Sequence, residues 1–186
     1  CGGPEPRGPR PAERPARRGA RAANLDAAVR AAAGAKGWAS VKADAYGPGI
    51  VTVYPALGRA DGFALLDIAE AERVRELGWR GPILLLEGCF DARDLEACSR
   101  LKLWHVVHGA AQIDLLAALK TDRPHHVFLK LNSGMNRLGF APGSFRAAWH
   151  RLAALAQVET ITLMTPLANP DAAAPEPTAT IRPREI

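Results

Sequence analysis

Aromatic side chains are scarce in this chain, at 6% of 186 residues, and there are only three cysteines. Each shortage excludes something. A nucleic-acid groove interleaves basic residues with aromatic ones, and no such stripe runs through the body of the chain. The formal charge of +5 does not change this, because the excess lies at the start, where Arg7, Arg10, Arg14, Arg17, Arg18 and Arg21 meet only Glu5 and Glu13. Cys1, Cys89 and Cys98 are an odd set without metal-type spacing, so neither a disulfide framework nor a zinc site is indicated, and a reducing cytoplasm is expected. No apolar run approaches the roughly 18 residues that span a bilayer, and the Arg/Pro-rich start lacks the apolar segment of a secretory signal. A soluble cytoplasmic protein, with no nucleic-acid or membrane partner and no metal, is the expectation.

Composition divides the chain into three parts. Residues 1–21 hold almost no large apolar side chain and cannot bury enough surface to offset ordering entropy, so they read as a disordered leader. Residues 166–186, interrupted by Pro166, Pro170, Pro175, Pro177 and Pro183, read as an irregular tail. Residues 22–165 form the folded body. Within it, short β-branched or leucine-rich runs alternate with amphipathic ones, the pattern of an α/β protein. Strands are predicted at Trp38 to Ala43, Gly62 to Leu66, Ile83 to Glu87, Leu103 to Val107, Val127 to Leu131 and Ile161 to Met164. Helices are predicted at Leu25 to Ala33, Val51 to Leu57, Ala69 to Leu77, Arg93 to Arg100, Gln112 to Lys120 and Phe145 to Leu155, the second of them interrupted by Pro55. Near-continuous apolar strands such as Ile83-Leu84-Leu85-Leu86 are buried on both faces, which implies a parallel sheet. No G-x-G-x-x-G loop follows the first strand, which disfavours a dinucleotide-binding sheet and leaves an incomplete (β/α)8 TIM-type barrel, about six of eight units, as the expected fold.

In such barrels the chemistry sits at the carboxyl ends of strands. Two ends carry suggestive residues. The first strand runs into Val41-Lys42-Ala43-Asp44-Ala45-Tyr46-Gly47-Pro48-Gly49, a lysine leaving a buried strand into a tight turn. Burial there favours the neutral, nucleophilic amine that Schiff-base chemistry needs, although position alone favours a solvated lysine. The fifth strand ends in Lys130-Leu131-Asn132-Ser133-Gly134-Met135-Asn136-Arg137-Leu138-Gly139-Phe140, where Arg137 follows a glycine turn and by itself would pass for a surface charge. Elsewhere, His105 and His108 find no third partner for a metal, and His125 and His126 read as solvated. Trp104, Trp149 and Phe145 read as packing residues, and Asp67 as a helix N-cap.

Both segments resemble signatures of the alanine racemase family. Residues 41–49 are similar to V-K-A-[ND]-A-Y-G-H-G and agree except at Pro48, and residues 130–140 resemble K-x-[ND]-[ST]-G-M-x-R-L-G-F. The likeness continues through Asp61-Gly62-Phe63-Ala64-Leu65-Leu66-Asp67, Ala69-Glu70-Ala71-Glu72 and Pro82 to Gly88, and it covers roughly Asn24 to Asn169. The resemblance implies a pyridoxal 5'-phosphate (PLP) enzyme of fold type III that interconverts L- and D-alanine, for peptidoglycan synthesis or alanine catabolism. It makes Lys42 the cofactor-linked lysine and an acid/base group, and Tyr46 the tyrosine near the cofactor phosphate. Arg137 becomes the contact of the substrate carboxylate and the cofactor oxygen. Lys130 becomes a lysine, carbamylated in some members, that holds that arginine.

Two histidines that the family would place here are prolines, Pro48 and Pro166. Proline supplies no donor, so imidazole hydrogen bonding at those points is lost. Family members also carry a carboxy-terminal β domain whose tyrosine serves as the opposite-face base in the partner subunit of a homodimer. The chain reads as truncated before it, with impaired turnover and doubtful dimerisation. Two other outcomes stay open from the sequence: a non-catalytic PLP-binding barrel of the homeostasis type, and an inert racemase fragment.

Overall fold

A computed structural model of the chain describes residues 13–31, 35–121 and 123–166. Six strands alternate with helices: α1 (Glu13–Ala31), β1 (Trp38–Ser40), a short turn α2 (Lys42–Tyr46), α3 (Ile50–Leu57), β2 (Gly62–Leu65), α4 (Ile68–Glu76), β3 (Ile83–Leu85), α5 (Ala92–Leu101), β4 (Trp104–Val107), α6 (Ala110–Ala118), β5 (His125–Lys130), α7 (Pro142–Ala153) and β6 (Val158–Met164). The strands pair in chain order, β1 to β6, each parallel to the next. A doubly wound sheet reverses its strand order at a switch point; this one never does.

Side-chain alternation gives the sheet two faces. Ala39, Val41, Phe63, Leu65, Ile83, Leu85, Val107, Val127 and Leu129 point outward and form the core with helix residues such as Val74, Leu95, Ile113, Leu116 and Leu152. Trp38, Trp104 and Phe128 lie on the opposite, inner face. Trp38 of β1 is 6.0 Å from Phe128 of β5 between ring centroids, and 5.4 Å from Trp104 of β4. In a flat sheet, strands four positions apart would lie about 19 Å from one another at 4.8 Å per strand. The sheet is therefore curled into most of a barrel, as expected.

Several boundaries differ from the sequence reading. Residues 13–21, counted with the leader, are helical in α1. Scarcity of large apolar groups limits burial, but Ala and Arg still favour local helix. Residues 1–12 and 167–186 lie outside the described residues. Pro55 does not end α3, since it falls near the helix end and removes a single donor. β1 stops at Ser40 rather than Ala43, because the backbone turns left-handed after Lys42. His125 and His126 belong to β5 instead of preceding it, and His125 is buried, its Nδ1 3.2 Å from His105 Nε2 and its Nε2 3.0 Å from Ser99 Oγ. Trp149 is 38% exposed, unlike Phe145, which is buried as expected; a helix three turns long cannot turn every large residue inward. Asp67 caps α4 through the Glu70 N–H at 2.8 Å.

Candidate active site

Lys42 leaves the carboxyl end of β1, half-buried, into an unusual turn. Ala43, Asp44, Ala45 and Tyr46 all have positive φ, between 50° and 59°. Each L-residue in this region costs about 1–2 kcal/mol, so four in succession persist only because their surroundings fix them. The Asp44 carbonyl accepts from Gly47 N (3.3 Å) and Gly49 N (2.9 Å), and Ala45 N donates to Val41 O at 2.8 Å. The Asp44 carboxylate accepts from Ile50 N at 2.9 Å, at the start of α3. The winding leaves the Tyr46 ring exposed, 5.9 Å from Lys42 Nζ, with its hydroxyl 3.3 Å from Ser40 Oγ.

Lys130 ends β5, beside β6, and is only 6% exposed. Burial pushes its ammonium below the ordinary lysine value; Arg137 and Lys42 act in the same direction and Glu87 against it. Those three charges therefore act on Lys130 at one end of the sheet. The loop from Asn132 to Phe140 returns Arg137, which is exposed, toward it. Phe140 N donates to Lys130 O and Asn132 N to Phe140 O, both at 2.9 Å, so the loop closes on its own strand. Inside it, Asn132 Oδ1 accepts from Gly134 N (3.2 Å) and Asn136 N (3.0 Å). Ser133, buried, donates to the Pro166 carbonyl at 2.8 Å and lies 2.5 Å from Thr165 Oγ1, which ties the loop to the chain after β6. Pro166 thus contributes here by its backbone oxygen.

The four residues singled out from sequence, Lys42, Tyr46, Lys130 and Arg137, all fall at the carboxyl end of the sheet. Lys42 lies beside the Tyr46 ring, and Lys130 feels the charges of both Lys42 and Arg137. Sequence reasoning missed Glu87, Ser133 and the hydrogen-bonding role of Asp44; a buried serine inside a glycine loop was the only available signal, and it is a weak one. A cavity of about 470 Å³ lies elsewhere, at the amino ends of the strands, lined in part by Arg75, Lys102, Trp104 and Arg123. It includes none of the four, and its Arg75 is committed to the carbonyls of Trp79, Gly81, Leu101 and Lys102. Among the described residues no group of three or more His, Cys, Asp or Glu could hold a metal ion, and no helix is long and apolar enough to cross a membrane.

Several proteins similar to this chain are alanine racemases. The chain is 68% identical over 150 residues to an alanine racemase of Variovorax paradoxus, covering 81% of this chain and 41% of that protein. It is 62% identical over 167 residues to one of Leptothrix cholodnii, covering 90% and 44%. Among solved structures, the biosynthetic alanine racemase of Pseudomonas aeruginosa is 41% identical with a TM-score of 0.73, over 78% of this chain and 41% of that one. The alanine racemase of Acinetobacter baumannii is 33% identical with a TM-score of 0.77, over 85% and 45%. The chain thus spans about two fifths of the length of the curated relatives it matches. The family description "Alanine racemase, N-terminal domain" matches residues 17–182, and the chain belongs to that family, whose members use PLP.

Proposed function

We propose that this chain is the cofactor-holding part of a cytoplasmic alanine racemase, and that Lys42, Tyr46 and Arg137 hold PLP and the carboxylate of alanine, with Lys130 supporting Arg137. The observation that carries this reading is the gathering of Lys42, Lys130 and Arg137 at one end of the sheet, where Lys130 feels both other cations and is opposed by Glu87. Clustered cations repel one another, and an anionic ligand with a phosphate and a phenolic oxygen relieves that repulsion. An aldehyde among amines also has a natural attachment point. Bound there, PLP would serve as the electron sink that stabilises negative charge at the substrate α-carbon.

The chain's own groups supply the rest. Lys42 offers its Nζ as the attachment point and as the proton carrier for one face of the substrate. The planar Arg137 guanidinium suits a carboxylate by two parallel N–H donors. Lys130, with its basicity reduced by burial, supports Arg137 from the strand below; its neutral amine is the form open to carbamylation. Tyr46, with its hydroxyl near Ser40, offers an O–H toward the phosphate. Racemisation also needs a group on the opposite face, and we assign it to a part of the longer relatives outside the matched span. The matched residues, taken without that part, are expected to capture cofactor and to turn over alanine poorly.

The test is addition of PLP to the purified chain, followed by absorbance spectroscopy, borohydride reduction and peptide mapping. Pyridoxyl mass on Lys42, with the absorbance band lost in Lys42→Ala, is the expected result. An unmodified Lys42, or equal capture by Lys42→Ala, removes the proposal.

A further inference from the structure

We propose that Glu70 is a positioning residue for Lys42, holding from the next βα unit the left-handed turn on which that lysine is mounted. The proposal rests on the reading that Lys42 captures the cofactor. Glu70 stands in the first turn of α4, and its Oε1 accepts the Asp44 N–H at 2.7 Å. Its Oε2 faces Leu66 N, at the end of β2, at 3.5 Å. Its own N–H is held by Asp67 Oδ1, so backbone and carboxylate are both fixed. One side chain thus joins the end of β2, the start of α4 and the turn after Lys42.

Other contacts come from the turn and the residues flanking it, with Tyr46 Oη 3.3 Å from Ser40 Oγ and Val41 N tied to Ala64 O of β2 at 3.0 Å just before Lys42. Val41 O, Asp44 O and the Asp44 carboxylate all lie within 41–50. The contacts within 41–50 fix the local winding, and the Val41 bond anchors only its start, ahead of Lys42. Glu70 lies 26 residues away on the neighbouring unit, so its bond anchors the turn on the far side of Lys42, where Val41 does not reach. An ionised carboxylate accepting a backbone N–H is also among the stronger hydrogen bonds. A shorter side chain would leave Asp44 N without its partner, while glutamine would keep one acceptor oxygen.

Amide hydrogen exchange over residues 42–49 and the rate of Lys42 modification by PLP, fixed with borohydride, are to be measured on the full chain. Glu70→Ala should raise exchange in that segment at least tenfold, leave β4 and β5 unchanged, and slow capture at Lys42 about tenfold. Glu70→Asp keeps the charge at the start of α4 yet is one methylene short, so it should loosen the turn similarly, and it carries the comparison if Glu70→Ala does not fold. Glu70→Gln should restore most of both readouts. Glu72→Ala, on the same helix but paired with Arg100, should move neither. Parent-like exchange in both shortened variants, or faster exchange with undiminished capture, overturns the proposal. An unmodified Lys42 in the parent chain defeats the reading of the site instead, and exchange alone then decides whether Glu70 holds the turn.

Discussion

Gly134 and Gly139 form a matched pair within the loop that brings Arg137 back to Lys130. Their φ angles are +126° and +123°, so alanine at either position meets the same backbone penalty. Their surroundings differ. A Cβ on Gly134 would find nothing within 4 Å, whereas one on Gly139 would sit 2.8 Å from Asn132 N and 3.0 Å from both Leu131 C and Lys130 O. Those are backbone atoms of the bridge between Leu131 and Phe140, and they cannot swing aside as a flexible side chain could. Gly134→Ala is therefore expected to cost about 1–2 kcal/mol, the scale of an unfavourable backbone conformation. Gly139→Ala adds an overpacking cost of about 2 kcal/mol, for a total of about 3–4 kcal/mol. With a urea m-value of about 2 kcal/mol per molar, the two midpoints should differ by about 1 M. Urea titration followed by tryptophan fluorescence reads this directly, with Trp38 and Trp104 on the inner face of the sheet as probes. Midpoints within about 0.2 M of each other would refute the tight closure of this loop on its strand, and with it the geometry assigned to Arg137.

Three further outcomes follow from the packing and the buried histidines. Asp67→Ala should destabilise the chain by about 1 kcal/mol through loss of the α4 cap, measurable as a lower urea midpoint with unchanged m. Leu152→Ala, at a fully buried site in α7, should cost about 2–5 kcal/mol, while Trp149→Ala, on the exposed side of the same helix, should cost under about 1 kcal/mol; comparable losses would contradict the face assigned to α7. Burial lowers His105 to about 3 from 6.5, with His125 acting in the same direction, and burial lowers His125 too. Between those values the unfolded state binds more protons than the folded one, so stability is complete above about pH 6.5 and falls as the pH drops toward 3. In His105→Gln the stability lost between pH 7.5 and 5 should be smaller than in the parent; an equal loss would show that this histidine does not carry the effect.

Much of the architecture is legible in the linear sequence because it rests on local patterns. Leu84 and Leu85 inside an unbroken apolar run mark a doubly covered strand, Asp67 three residues before Glu70 marks a helix start, and the lysine at the close of the first strand marks a site. The limits of β1 and β5 were harder to read. Ser40 ends its strand because Ala43 to Tyr46 turn left-handed, a conformation that four non-glycine residues do not advertise. His125 looks polar and solvated in sequence, yet it is buried beside partners 20 and 26 residues distant.

The sequence by itself therefore determined the order of strands and helices, the helix caps and the two segments that bear the candidate site. These depend on neighbours within a few positions. Only the tertiary structure decided how far the sheet curls, which brings Trp38 to Phe128 across four strands. The same is true of the cations acting on Lys130, and of the carboxylate of Glu70 that meets Asp44 N. Each of these joins residues far apart along the chain, and their separation in space is fixed by the twist and closure of the sheet, which no local pattern encodes.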